Sequence, residues 1–287
     1  MYIRCCRILA QTEELVGDPS RSQYYRQLAD SLSRRLTERY FLPPHERAEY
    51  SQTALAFAYY YCDPTLLPRE KIVEKLVALC DEGHCFDAGI FGTAPMLHIL
   101  AAEGYGDIAR RLLTKPEYPS YRAMLDLGAT TLWEHWPVQG FDGGYEAYDG
   151  SMSHPMHAAF DEWLYTGVAG LAARGSVREP WTFRWNDFPE LNRASAARRI
   201  PEGRISSEWR RDGNSIVWKV EVPAGIEAQV VIPARAGEIR EGGRPIADRA
   251  ETGRIRILPA ASASGKQQLS VGSGNYEFSF PAPGANS

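Results

Sequence analysis

Apolar positions recur every three or four residues from the start of the chain to about residue 175, and every second residue after about 180. The first spacing gathers side chains on one face of a helix, the second on one face of a strand. In SQYYRQLADSLSRRLTERYF, Tyr25, Leu28, Leu32 and Leu36 form one apolar stripe, and Gly17-Asp18-Pro19 ahead of it reads as a helix stop followed by a start. SQTALAFAYYY predicts a short helix. PREKIVEKLVALCDEG predicts another, with Ile72, Leu76, Leu79 and Cys80 on one face and Gly83 as its end. TAPMLHILAAEG has Pro95 in its first turn and Gly104 at its stop, and YGDIARRLLT follows. SHPMHAAFDEWLYTGVAGLAA predicts a last helix of roughly 20 residues. About seven short helices on short loops imply antiparallel helical hairpins.

In the second half, SIVWKVEV alternates Ile216, Trp218, Val220 and Val222 against polar positions, with the turn Asp212-Gly213-Asn214 before it. RISSEWRRDGNSIVWKVEV therefore predicts a β-hairpin, and EAQVVIP, RIRILPA, QQLSVGSG and NYEFSF predict further strands. The expected class is α+β in two domains: helical hairpins over residues 1–178 and a small antiparallel β-sandwich over 179–287. The tail holds no histidine, so chemistry is expected in the helical part. Between those helices, residues 137–153 form a glycine-rich stretch with no period, of a length that in compact domains is usually functional.

Composition narrows the functions. The net charge is −4 with a pI near 5.9, which argues against nucleic-acid or anionic-membrane partners, since these need clustered Lys and Arg. No apolar run reaches the length of a membrane span, and the N-terminus is too charged for a secretion signal. The five cysteines, Cys5, Cys6, Cys62, Cys80 and Cys85, have no zinc-site spacing and are expected as free thiols in a reducing, cytoplasmic compartment. No ligand spacing calls for a metal or a cofactor.

The chemistry-bearing stretch is Trp133-Glu134-His135-Trp136, a carboxylate and an imidazole between two indoles. On one reading the tryptophans are core anchors and Glu134 is a surface acid. On the other, Glu134 stands on an aromatic floor, is partly desolvated and has its pKa raised toward neutrality. Indole faces suit the C–H faces of a sugar. His154 follows a glycine-rich loop and is positioned to return to the same mouth; His157, one turn on, is open between that mouth and the interior. His135 alternates away from Glu134. Asp87 reads as a helix-start or loop acid beside the Gly89–Gly92 turn, and Tyr145 and Tyr148 read as loop aromatics at the rim.

Taken in order, FDAGIFGTAPMLHILAAEGYGDIARRLLTKPEYPSYRAMLDLGATTLWEHW, DGSMSHPMHAAFDEWLYTGVAGL and a β-rich tail resemble the bacterial α-L-rhamnosidases of glycoside hydrolase family 78. The likeness is dense from about Asp87 to Leu171 and thinner toward both ends. It implies an (α/α)6 toroid of six helical hairpins and inverting hydrolysis of terminal α-L-rhamnosides. An acid protonates the leaving oxygen in such a reaction, and a carboxylate roughly 6.5–9.5 Å away activates water. By this resemblance Glu134 is the general base and His154 a sugar contact; the indoles of Trp133 and Trp136 and the loop aromatic Tyr145 are the further candidates for lining the substrate site. Ser153 stands where the family usually has Asn.

The family's general acid lies in an acidic cluster well upstream of the WExW element, and no such cluster precedes Glu134 here. About seven helices also fall short of the twelve in a six-hairpin ring. The expectation is thus a partial toroid whose open edge is covered by a second chain or by self-association: a fragment, a split enzyme, or a relative that has lost the acid. The alternative is a carbohydrate-binding or interaction protein of the same fold that does no chemistry. An unsaturated uronyl hydrolase fits less well, because such enzymes carry acids on early helices and lack this motif order.

Overall fold

A computed structural model of the chain describes residues 1–44, 49–81, 85–136, 148–171, 173–174, 179–250, 253–259 and 266–283. The chain divides into two compact units, Met1–Leu100 with Ile108–Ala158, and Ala101–Asp107 with Ala159–Ser287.

The first unit begins with helices α1 (Tyr2–Val16) and α2 (Pro19–Tyr40), which pack as an antiparallel hairpin. Gly17 ends α1 at φ 87°, a left-handed conformation that glycine adopts without a Cβ penalty. The Asp18 carboxylate then caps α2 by accepting from the Arg21 N–H. The predicted stripe does lie at the seam, where Leu28, Leu32 and Leu36 pack on Ile3, Cys6 and Ala29, but it is not the most deeply buried line of α2. Fully buried on α2 are Ser22, Ala29, Ser33 and Thr37, while Tyr25, Leu28, Leu32 and Leu36 lie half-buried beside them. Small side chains let the helices approach closely, and each hydroxyl is satisfied locally. Ser22 donates to the Ala10 carbonyl, and Thr37 donates to the Ser33 carbonyl and accepts from the Asp63 N–H. Tyr2, Ile8, Leu9, Leu15 and Val16 of α1 remain exposed.

Helices α3 (Gln52–Tyr61), α4 (Arg69–Cys80), α5 (Thr93–Ala102) and α6 (Gly106–Thr114) stand where the periodicity places them. On α4 the buried face is Ile72, Val73, Leu76 and Cys80, with Leu79 only half-buried; Gly83 lies outside the described residues. Helix α7 (Tyr121–Asp126) was not legible from periodicity, since six residues make under two turns. Its start is marked by Ser120, whose hydroxyl accepts from the Ala123 N–H.

The long last helix is a correction. Residues 155–168 run as a 3-10 turn (Pro155–Ala159), one α-turn, α8 (Phe160–Trp163), and a π-turn (Leu164–Val168). A Cβ on Gly167 would stand 2.6 Å from the Trp163 indole, so the widened turn is where the backbone closes on that ring. Carbonyls that the irregular turn leaves free are taken up by side chains of β3 and of the segment after β1. Gly167 accepts from Asn186, Val168 from the Trp209 indole, and Ala169 from the Ser207 hydroxyl.

The second unit carries two sheets. One has the order β1 (Trp181–Arg184), β5 (Ala228–Ile232), β9 (Gln267–Val271), β8 (Ile255–Ile257). The other has the order β2 (Arg193–Ile200), β3 (Gly203–Asp212), β4 (Ser215–Val222), β10 (Gly274–Pro281), β6 (Arg240–Glu241), β7 (Arg244–Pro245). A short helix, α9 (Ile246–Ala250), follows β7. The hairpin β3–β4 pairs Asp212 with Ser215 across Gly213-Asn214, as its turn predicts. Pairings are antiparallel except β1 with β5, which is parallel. Trp209, Trp218, Phe183, Phe188, Phe278 and Phe280 fill the interior.

Candidate active site

The site is built where two irregular segments, residues 131–136 and 148–154, run beside each other in the first unit. Three bonds lash them together: the Thr131 hydroxyl donates to the Met152 carbonyl, the Glu134 N–H to the Ser151 carbonyl at 2.8 Å, and the His154 N–H to the Leu132 carbonyl at 2.7 Å. The Tyr148 hydroxyl closes the open end, accepting from the His135 N–H at 2.7 Å and donating to the His135 carbonyl at 2.8 Å. Tyr148 is thus a pin for the WEHW segment rather than a free rim aromatic.

The Glu134 carboxylate accepts from the Ser151 N–H at 3.0 Å, faces His154 Nδ1 at 3.9 Å and keeps 34% of its side-chain surface exposed. Its pKa moves opposite to the sequence expectation. The Ser151 N–H holds the carboxyl below the usual glutamate range against the opposing desolvation, and the His154 and His135 imidazoles pull the same way as Ser151. The indoles do not desolvate it, because both turn inward. Trp133 is only 3% exposed and packs on Tyr148, so its face is not open to a ligand. Trp136 is half-buried, stacked on Phe86 at 5.0 Å, with the Tyr121 ring edge-on at 5.0 Å and its own N–H donating to the Ala88 carbonyl.

His154 is partly exposed, with Nδ1 toward Glu134 and Nε2 buried without a hydrogen-bond partner. His157 is not at the mouth. It is 1% exposed, lies 4.4 Å from the Trp136 ring, and its Nδ1 is 2.7 Å from the Trp133 carbonyl. His135 is exposed, and Tyr145 lies outside the described residues. Asp87 is a helix-start acid, accepting from the Gln52 N–H in the first turn of α3. Of the two turn glycines, Gly92 is required by close approach, since a Cβ there would stand 2.1 Å from the Thr53 hydroxyl; Gly89 has open space around it.

Sequence reasoning missed one contributor and left another, Gln52 near a helix start, undecided. The Ser151 N–H is a backbone group and leaves no signature in residue type. Gln52, 1% exposed, ties four backbone groups: its amide donates to the carbonyls of Leu79 and Cys85 and its oxygen accepts from the N–H groups of Asp87 and Ala88. It thereby holds the irregular segment 85–88 that carries Phe86 and the Ala88 carbonyl under Trp136. Among the described residues no cluster of His, Cys, Asp or Glu has the geometry of a metal site. What the arrangement can do is hold an ionised, half-open carboxylate beside an imidazole, which suits activation of water.

The family model of the bacterial alpha-L-rhamnosidase 6 hairpin glycosidase domain matches residues 1–168, and that of the bacterial alpha-L-rhamnosidase C-terminal domain matches residues 181–246. An alpha-L-rhamnosidase of Streptomyces avermitilis is 31% identical over 169 residues, 58% of this chain and 16% of that protein. One of Formosa agariphila is 24% identical over 243 residues, 83% of this chain and 26% of its own length. Two solved structures share the fold: the alpha-L-rhamnosidase from Dictyoglumus thermophilum, with TM-score 0.77 and 23% identity over 98% of this chain and 31% of that one, and the Streptomyces avermitilis enzyme complexed with L-rhamnose, with TM-score 0.79 and 23% identity over 96% and 26%. The chain therefore spans a third or less of each of these relatives.

Proposed function

The chain belongs to the bacterial α-L-rhamnosidase six-hairpin glycosidase family, and from that premise we propose that it forms the general-base side of a site hydrolysing terminal α-L-rhamnosides with inversion. Glu134 is the base. Its carboxylate draws a proton from water as that water attacks the anomeric carbon, and the C–O bond to the leaving group breaks on the opposite face of the sugar. His154, 3.9 Å from the carboxylate, contacts the sugar. Trp133 and Trp136 act from beneath, by anchoring the segment. The general acid comes from outside this chain, because no acidic cluster of the family's kind precedes Glu134. The exposed apolar residues of α1 fit a further helical layer, from a second chain or from self-association.

The observation that carries this reading is the ionised, one-third exposed carboxylate held by a backbone N–H beside an imidazole. A base must be ionised to act, so the lowered pKa favours base over acid for Glu134. The test is hydrolysis of an aryl α-L-rhamnoside, whose good leaving group needs little protonation. The chain should cleave it slowly and natural rhamnosides far more slowly, and Glu134→Gln should lower the aryl rate by roughly 10²-fold or more. Unchanged activity in Glu134→Gln removes the base assignment. Rhamnose binding with no turnover of either substrate favours the non-catalytic alternative.

A further inference from the structure

We propose that His157 is the positioning residue of this site, a neutral imidazole that clamps the peptide bearing Glu134. The peptide unit joining Trp133 to Glu134 is held on both sides. Its carbonyl lies 2.7 Å from His157 Nδ1, its N–H donates to the Ser151 carbonyl at 2.8 Å, and the Ser151 N–H returns to the Glu134 carboxylate at 3.0 Å. A planar peptide fixed at both ends has one orientation, and that orientation aims the Glu134 side chain. The bonds form a relay: loss of the imidazole frees the carbonyl, lets the plane rock and loosens the Ser151 contact.

The Trp133 carbonyl can only accept, so Nδ1 carries the proton and Nε2 a lone pair. Among the described residues, Nε2 is buried with no partner and the Nδ1 contact is the ring's one hydrogen bond. The imidazole is boxed by Trp136 at 4.4 Å and Tyr121 at 5.3 Å, and the Tyr121 hydroxyl donates to the His157 carbonyl at 2.8 Å, fixing the backbone of the clamp itself. Burial pushes the His157 pKa down, the Trp133 carbonyl pulls it up by less, and the neighbouring His154 and His135 add to the lowering, so the neutral ring is favoured. Among the described residues, His154 and His135 lower the Glu134 pKa, while Tyr148 is itself pushed up by burial and by the Glu134 charge.

The catalytic consequence rests on Glu134 being the base; the clamp itself does not, and the experiment separates the two. His157→Phe keeps an aromatic ring and loses the donor. His157→Asn loses ring packing and keeps a donor near the Nδ1 position. In NMR titrations the Glu134 carboxyl, assigned by its disappearance in Glu134→Gln, is expected to rise in pKa in His157→Phe, with faster exchange of the Glu134 amide. His157→Asn should stay near the parent in both. A mere packing role predicts the reverse ranking and overturns the proposal. Nitrogen shifts of His157 in the unaltered protein give a reading that needs no variant: an Nδ1-protonated ring is expected, and an Nε2-protonated one refutes the clamp. In the aryl rhamnoside assay, kcat should fall roughly 10- to 100-fold in His157→Phe with KM near the parent, and recover in His157→Asn. If the NMR ranking holds while the kinetics do not move, the clamp stands and the reading of Glu134 as base fails.

Discussion

At Glu134 a single backbone donor outweighs two nearby indoles. Aromatic neighbours raise a carboxyl pKa only when they exclude water, and here both rings turn inward while the carboxylate keeps an N–H partner. The sign follows for activity. A base with a lowered pKa works above that value and fails as pH falls through it. The acidic limb of the kcat/KM profile on an aryl rhamnoside should therefore lie below the ordinary glutamate range. Gln52 gives a stability prediction: Gln52→Ala strips partners from four backbone groups around segment 85–88 and should cost about 3 kcal/mol, read from the urea midpoint. Cys80 is buried and its thiol is pushed up to about 12, so a thiol reagent at neutral pH should label exposed Cys5 well before Cys80.

The elements were legible where local chemistry repeats or punctuates. Gly17-Asp18-Pro19 marks both ends of the α1–α2 turn, and Asp18→Ala should lower the thermal unfolding midpoint through its lost cap. Which face of α2 is fully buried was not legible, because small residues at a close seam look polar in a hydrophobic pattern. Strand β2 escaped for a related reason: it is an edge strand with polar residues on both sides, and only its pairing with β3 makes it one. The segment from Pro155 to Val168 has helical periodicity yet three kinds of turn, since Gly167 against Trp163 and the bonds from Asn186 and Trp209 settle the backbone there. A methyl group at 167 would overpack that contact, so Gly167→Ala should destabilise by about 1–3 kcal/mol in denaturant titration.

For the molecule as a whole, acid stability combines groups that share a sign. Asp18, Asp63, Glu134 and Glu227 all have lowered pKa values, so their contributions are present above the unfolded carboxyl range and vanish as pH falls through the folded values. His157, also lowered, adds stability that is full above its unfolded value near 6.5 and declines below it. Unfolding free energy should thus begin to fall just under pH 6.5, before any carboxylate protonates, and His157→Asn should flatten that first decline. By itself the sequence determined the two periods, the helical half followed by the β half, the β3–β4 turn and the motif order that marks the family. These depend on neighbours along the chain, within about one helical turn or one hairpin. Only the tertiary structure decided that Trp133 is an anchor, that His157 lies inside while His154 reaches the carboxylate, and that Glu134 is held ionised. Each of those depends on which atom meets which across a loop: Ser151 stands 17 residues from Glu134, and His157 stands 24 from the Trp133 carbonyl it meets. No period or residue type encodes such a meeting, because a backbone N–H is present at nearly every position and acquires its role only from the partner that folding places opposite it.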